Sequence, residues 1–193
     1  MSKYYTVDEL VEMINEPNRS ACQKILGNFR NLFQNTVGSV HNHQSWPGGY
    51  WDHVQEIMNL AFVNFVTLNN LRPMPFSLSD ALLVTFLHDI EKPWKYEQGP
   101  DGRLRHREKF QSKQDAHVYR EKFMRLSSIV LTPEQANALQ YVEGEFDDYS
   151  NRKRVMGPLA AFCHVCDVTS ARIFFDYPLE KNDPWAGAKR FRD

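Results

Sequence analysis

The stretch Ser79-Asp-Ala-Leu-Leu-Val-Thr-Phe-Leu-His-Asp-Ile-Glu-Lys92 decides how the rest of the chain is read. Ala81, Leu82, Val84, Phe86, Leu87 and Ile90 make it apolar on every side, so a helix here belongs at the centre of a helical protein and not on its surface. Phe76 to Asp80 supplies serine caps for its start. Its last turn delivers His88 and Asp89, and a carboxylate next to a core has to be ion-paired, hydrogen-bonded or bound to a cation. Pro93 and the run Gln98 to Gly102 then force a loop.

Outward from this helix the chain reads as more helices. Upstream, a long helix is expected from about Tyr50 to Asn70, with His53 in its first turn. It follows a polar, glycine-bearing loop, Gly38 to Gly49, that holds His41, His43, Trp46 and Pro47. Before the loop, Thr6 with Glu9 forms a capping box for a short helix to about Asn15, Pro17 marks a break, and a second helix runs from Ser20 to about Phe33. Residues 1–36 thus form a brace. Downstream, a polar helix is expected from about Arg107 to Leu126. Thr132, Pro133 and Gln135 start another that runs to about Gly144, and a last long helix from about Pro158 to Phe175 carries Asp167. Residues 178–193 read as an irregular arm. With no alternating strand run and no internal repeat, the class is all-α, a single-domain helical bundle over 1–193.

Composition sets limits on function. A chain of 193 residues that is 42% hydrophobic buries a sizeable core, which excludes a disordered tail. Its 23 basic and 24 acidic side chains nearly cancel, so neither nucleic acid nor an anionic membrane is required as a partner. The odd cysteine count, Cys22, Cys163 and Cys166, favours a reducing compartment, and Cys163-x-x-Cys166 lacks the second ligand pair of a structural zinc site, so it reads as core packing. Met1 to Tyr5 is no signal peptide, and the apolar run from Leu60 to Leu71 is interrupted by asparagines and too short to span a bilayer. The expectation is a cytoplasmic protein; a homo-oligomeric state is left open.

Three segments together resemble the HD-domain superfamily of metal-dependent phosphohydrolases. His43-Gln-Ser-Trp-Pro-Gly-Gly-Tyr-Trp-Asp-His53 is similar to the histidine, aromatic and Gly-Gly run that precedes that family's first ligand. Leu87-His-Asp-Ile-Glu-Lys92 is similar to its central motif, and Ala161-Phe-Cys-His-Val-Cys-Asp167-Val-Thr-Ser-Ala171 to the segment with its final aspartate. The resemblance implies a cage of His53, His88, Asp89 and Asp167 on separate helices. Two neutral imidazoles and two carboxylates suit one divalent ion such as Mn, Fe, Co, Ni, Zn or Mg, with waters in the open positions.

The same resemblance implies hydrolysis of a phosphate ester or anhydride, with a nucleoside monophosphate or a deoxynucleoside triphosphate as the favoured substrate. Other members cleave cyclic nucleotides or act as 3′ to 5′ exonucleases, and a silent metal or nucleotide sensor is a further reading. Asp89, Lys92 and His117 are the expected catalytic residues. Lys92, one turn beyond His88, is placed to hold a phosphate oxygen. His117 in Asp115-Ala-His-Val-Tyr is open to three roles: second-metal ligand, phosphate contact or general acid. His43, Trp46, Trp94, Lys95, Tyr96 and Arg154 are the expected substrate contacts, the aromatic rings for a base and the cations for phosphate. His41, His106 and His164 read as structural. In Leu139-Gln-Tyr-Val-Glu-Gly-Glu145, Tyr141 and Val142 stand where two-metal members carry a histidine pair, which argues for one ion, although Glu143 or Glu145 is a conceivable donor to another.

Overall fold

In the computed structural model, residues 2–40, 42–101 and 103–191 are described. His41 and Gly102 lie outside the described residues. Among the described residues the regular structure is helical apart from one small hairpin and two isolated bridges. Its elements are α1 (Val7–Val11), α2 (Asn18–Asn35), α3 (Gly49–Leu71), α4 (Leu78–Leu87), α5 (Lys92–Lys95), β1 (Tyr96–Gln98), β2 (Leu104–His106), α6 (Lys113–Leu126), α7 (Pro133–Tyr141) and α8 (Pro158–Val168). None of the described helices is long and apolar enough to cross a membrane.

Helix starts follow local chemistry. Thr6 with Glu9, Ser77 with Asp80, Ser112 with Asp115 and Thr132 with Gln135 all close reciprocal capping boxes, each satisfying two backbone N–H groups that a helix end leaves orphaned. Four expectations change. α1 is shorter than Thr6 to Asn15, because the chain turns before Pro17. α6 begins at Lys113 instead of Arg107, since Ser112 caps it there and Phe110 is buried just ahead. The loop after Pro93 contains the antiparallel pair β1 and β2, in register Tyr96 to His106, three residues each and too short to show alternation in sequence. The last helix ends as an α-helix at Val168 and continues to Ile173 as a wider π-turn.

The core lies where α3, α4, α7 and α8 pack together. Ile57, Met58 and Ala61 of α3 meet a fully buried α4 (Leu82, Leu83, Val84, Phe86, Leu87), closed by Leu139 of α7 and by Ala160, Cys163 and Cys166 of α8. All three cysteines are free and buried. The N-terminal helices brace one side. Phe33 sits 5.4 Å from Tyr50 and 6.1 Å from Trp94, centroid to centroid, which joins α2 to the start of α3 and to α5. The C-terminal arm is ordered over this same end: Tyr4 N–H donates to Ala186 O, Tyr4 packs on Trp185, and Phe191 N–H donates to Asp52 Oδ1.

Because Phe33 is fully buried between two elements that carry site residues, Phe33→Ala should cost about 3–5 kcal/mol. Urea unfolding followed by circular dichroism measures this; a loss below about 1 kcal/mol would show that the brace is dispensable.

Candidate metal centre

α3, α4 and α8 each bring one or two polar groups to a single point beside the core. His53 comes from the second turn of α3. Its position depends on Gly48 and Gly49: Gly48 adopts φ +80°, and a Cβ on Gly49 would collide with the Gln44 carbonyl. His88 caps the C-terminal end of α4 and Asp89 follows it; Asp167 is in the last turn of α8.

The atoms converge tightly. His53 Nε2 lies 3.2 Å from His88 Nε2, 3.3 Å from Asp167 Oδ1 and 3.6 Å from Asp89 Oδ2. His88 Nε2 lies 3.1 Å from Asp89 Oδ2 and 3.8 Å from Asp167 Oδ1. Ligands on a common ion at bond lengths of about 2.1 Å stand roughly 3 to 3.5 Å apart, so these edges have the size of a coordination shell. His53, His88 and Asp167 form the mutually compact group that could hold a metal ion. Asp89 reaches both imidazoles but also pairs with Lys92, its Oδ2 2.5 Å from Nζ.

The tautomers follow from the outer partners. His88 Nδ1 faces the Thr85 carbonyl at 2.7 Å, and a carbonyl can only accept, so Nδ1 carries a proton and Nε2 is left for a ligand. His53 Nδ1 lies 3.0 Å from Ser170 Oγ, whose own hydroxyl donates to Glu56 Oε2 at 2.6 Å. That serine therefore accepts from His53, which again leaves Nε2 with its lone pair. Two lone pairs 3.2 Å apart in a buried site repel, unless a proton or a cation lies between them.

The electrostatics agree. Burial lowers the pKa of His53. Burial also opposes charge on His88, but the Asp89 carboxylate overrides it and raises the imidazole to about 9. Against their own burial, Asp89 is held well below the usual carboxylate range by Lys92 and His88, and Asp167 is lowered by its bond to His53. The negative field that holds a proton on His88 is the field that would hold a divalent ion. The residues fit such an ion.

The centre opens into a cavity of about 620 Å³. Asp89, Lys92, Asp167 and, of the sequence-predicted contacts, His43, Lys95 and Tyr96 line it. Burial lowers His43 to about 4, so it is a neutral ring there; its ring centroid is 4.8 Å from that of His53.

Four expected contacts are placed elsewhere. Trp46 donates its indole N–H to Asp52 Oδ2 at 2.7 Å and is covered by Arg190, 4.0 Å from its ring, so its stacking face is used by the C-terminal arm. Trp94 packs among Phe29, Phe33, Tyr119 and Phe123, because α5 turns this side chain towards the brace. Arg154 is exposed and does not line the cavity. His117 lines a separate cavity with Arg120 and Gln140.

Sequence reading missed several groups at the centre. His164, read as structural, lines the cavity with Nδ1 held by the Val142 carbonyl at 2.7 Å, which leaves Nε2 free. Glu56 and Ser170 orient His53. Arg120, almost fully buried, donates to the carbonyls of His88 and Leu139 and stands 4.0 Å from Glu91, whose Oε2 has no hydrogen-bond partner. The one signal for Glu56 was its place one turn after His53.

No family model matches this chain, and comparison with curated proteins and with solved structures finds no match.

Two outcomes are expected. His53→Ala and His88→Ala should each lose most tightly bound divalent ion while the helical circular dichroism signal stays, measured by elemental analysis and isothermal titration. Undiminished metal in both variants would remove the site. The second concerns Glu56, which burial raises to about 9 from an ordinary 4.5. Since the folded chain binds this proton more tightly than the unfolded one, its contribution is fully present below about pH 4.5 and is lost as pH rises towards 9. Glu56→Gln should therefore flatten this loss and be the more stable form at pH 9 in chemical denaturation; an unchanged slope would show that Glu56 is ionised in the folded protein.

Proposed function

We propose that this chain is an HD-type metal-dependent phosphohydrolase that cleaves a phosphate ester or anhydride of a nucleotide. The observation that carries the reading is the convergence of His53, His88, Asp89 and Asp167: the imidazole Nε2 atoms lie 3.2 Å apart and 3.1 to 3.8 Å from the carboxylate oxygens, with Asp89 and Asp167 lining the cavity and both imidazoles buried behind them. The motif resemblance supports it independently of that geometry.

His53, His88 and Asp167 would hold one divalent ion, with Asp89 as the fourth donor. When bound, such an ion polarises a phosphoryl oxygen and lowers the pKa of a coordinated water. The chain's own residues do the rest. Thr85 and Ser170 fix the two imidazoles in the ligand tautomer. Lys92, nine-tenths buried and kept charged by Asp89, stands at the cavity wall where its ammonium offsets charge that develops on phosphate. His164, with Nε2 free, is the histidine on the cavity that can pass a proton to the leaving oxygen. A single-ion site is supported by the place of His117 in another cavity and by Tyr141, whose hydroxyl donates to Asp148.

The test is product analysis over nucleoside mono-, di- and triphosphates, cyclic nucleotides and short oligonucleotides, each with Mn, Co, Ni, Zn and Mg. Hydrolysis of a mononucleotide class is expected. Turnover confined to oligonucleotides would make the chain a nuclease, and no turnover with any metal would leave a sensor. In the active combination, Lys92→Ala should lower kcat by on the order of 100-fold with metal retained. Titration of metal-free protein should show one tight equivalent; two would overturn the single-ion site.

A further inference from the structure

The cavity wall away from the metal ligands has its own composition. Seven charged residues line the cavity, and three of its four acids are paired: Asp89 with Lys92, Asp167 with His53 and Glu143 with Lys113 at 3.6 Å; the fourth, Glu91, is buried with its Oε2 4.0 Å from Arg120. Of the three cations, Lys92 is taken by Asp89. Lys95, from α5, and Arg172, from the π-turn after α8, have no carboxylate partner among the described residues. Two free cations on a cavity are an anion site waiting for its anion.

Two exposed phenylalanines stand on the same cavity. Phe146 is 58% exposed and Phe175 is 51% exposed, a poor arrangement for apolar rings in a folded chain unless something covers them. Phe146 also sits at φ +44°, a left-handed backbone that a bulky residue adopts only when its surroundings impose it. Here the surroundings are visible. Glu145 Oε1 accepts from the N–H groups of Val155 and Met156, and Tyr141 O–H donates to Asp148, so both flanks of Phe146 are tied down. Lys113 Nζ lies 3.5 Å from the ring centroid, over one face. Phe175 is fixed by its own carbonyl, which accepts from Gln44 N–H at 3.0 Å.

We propose that Phe146 and Phe175 form the aromatic half, and Lys95 and Arg172 the cationic half, of a recognition wall that selects an aromatic-headed polyphosphate over phosphate alone. The inference rests on the phosphohydrolase reading for placing the reacting phosphate at the metal centre. The rings take a nucleobase by stacking, and the two cations take phosphate oxygens that the metal side does not. A cavity of about 620 Å³ has the size of a small-ligand site and accommodates one nucleotide rather than a duplex.

The experiment is calorimetric binding of two probes to the Mn-loaded full chain: adenosine 5′-(α,β-methylene)triphosphate and inorganic tripolyphosphate. The nucleotide analogue is expected to bind about tenfold tighter or better. Phe146→Ala and Phe175→Ala should each erase most of that advantage without changing tripolyphosphate binding. Arg172→Ala and Lys95→Ala should weaken both probes by about tenfold. All four positions are exposed or half-buried, so unchanged thermal melts are expected and serve as the folding control.

Equal affinity for the two probes, or phenylalanine variants that bind like wild type, would overturn the wall. Hydrolysis of unmodified nucleotides by the same samples keeps the two readings apart. Hydrolysis with no response in the variants would defeat the wall alone. The expected binding pattern without hydrolysis would keep the wall and defeat the phosphohydrolase reading.

Discussion

Two imidazole nitrogens with their lone pairs turned towards each other, and two carboxylates beside them, are held at a buried point that would be repulsive if left as it stands. Each imidazole has an outer partner on its Nδ1: a main-chain carbonyl behind His88, and behind His53 a serine hydrogen-bonded to Glu56. A proton or a cation at that point relieves the repulsion, and the group is one that could hold a metal ion. α3, α4 and α8 meet here, and a fully apolar α4 provides the packing that fixes His88 at its end.

Support for the centre comes from groups that do not enter it. Gln44 Nε2 approaches Glu56, Ser170 and the Phe174 carbonyl at 3.4 Å each, joining the loop before α3 to the π-turn after α8. Arg120 does the same on the other side, joining the His88 carbonyl, the end of α7 and Glu91. Buried polar networks of this kind are costly when half satisfied, so each holds its segment in one geometry. The π-turn is part of this economy of position. A wider turn at Thr169–Ile173 places Ser170 against His53, while Arg172, two residues on, lies on the cavity.

The fold was legible because its signals are local. Capping boxes announced α1 and α7, serine caps announced α4, and the dense apolarity of residues 81–87 located the core. That His53, His88, Asp89 and Asp167 converge was implied by the resemblance of three segments to a known family's motifs. What stayed hidden depends on tertiary packing. Trp46 and Trp94 looked like rings for a ligand, but the first is capped by Arg190 from the far end of the chain and the second is surrounded by α2 and α6. Phe146 and Phe175 gave no sequence signal at all, because a phenylalanine near a glycine or at the end of an expected helix reads as ordinary core.

That exchange of aromatic rings has a physical logic. An indole carries an N–H, and Trp46 satisfies its own against Asp52 while the arm covers its face, so it is consumed in locking the turn that sets His53. A phenyl ring has no polar group that such a bond must satisfy, so Phe146 and Phe175 are not consumed in the same way and stand exposed on the cavity. The charges divide in the same way. The chain as a whole is close to neutral, yet most acids on the cavity are paired or aimed at the centre, and two cations on it have no carboxylate partner among the described residues. Overall charge conceals this asymmetry because the acids that would balance Lys95 and Arg172 are spent elsewhere: Glu143 on Lys113, Glu91 beside Arg120. On the reading proposed above, an anion in the cavity would draw on the unpaired positive charge of Lys95 and Arg172, and a compound that carries both an anion and a flat ring would use both halves of that wall.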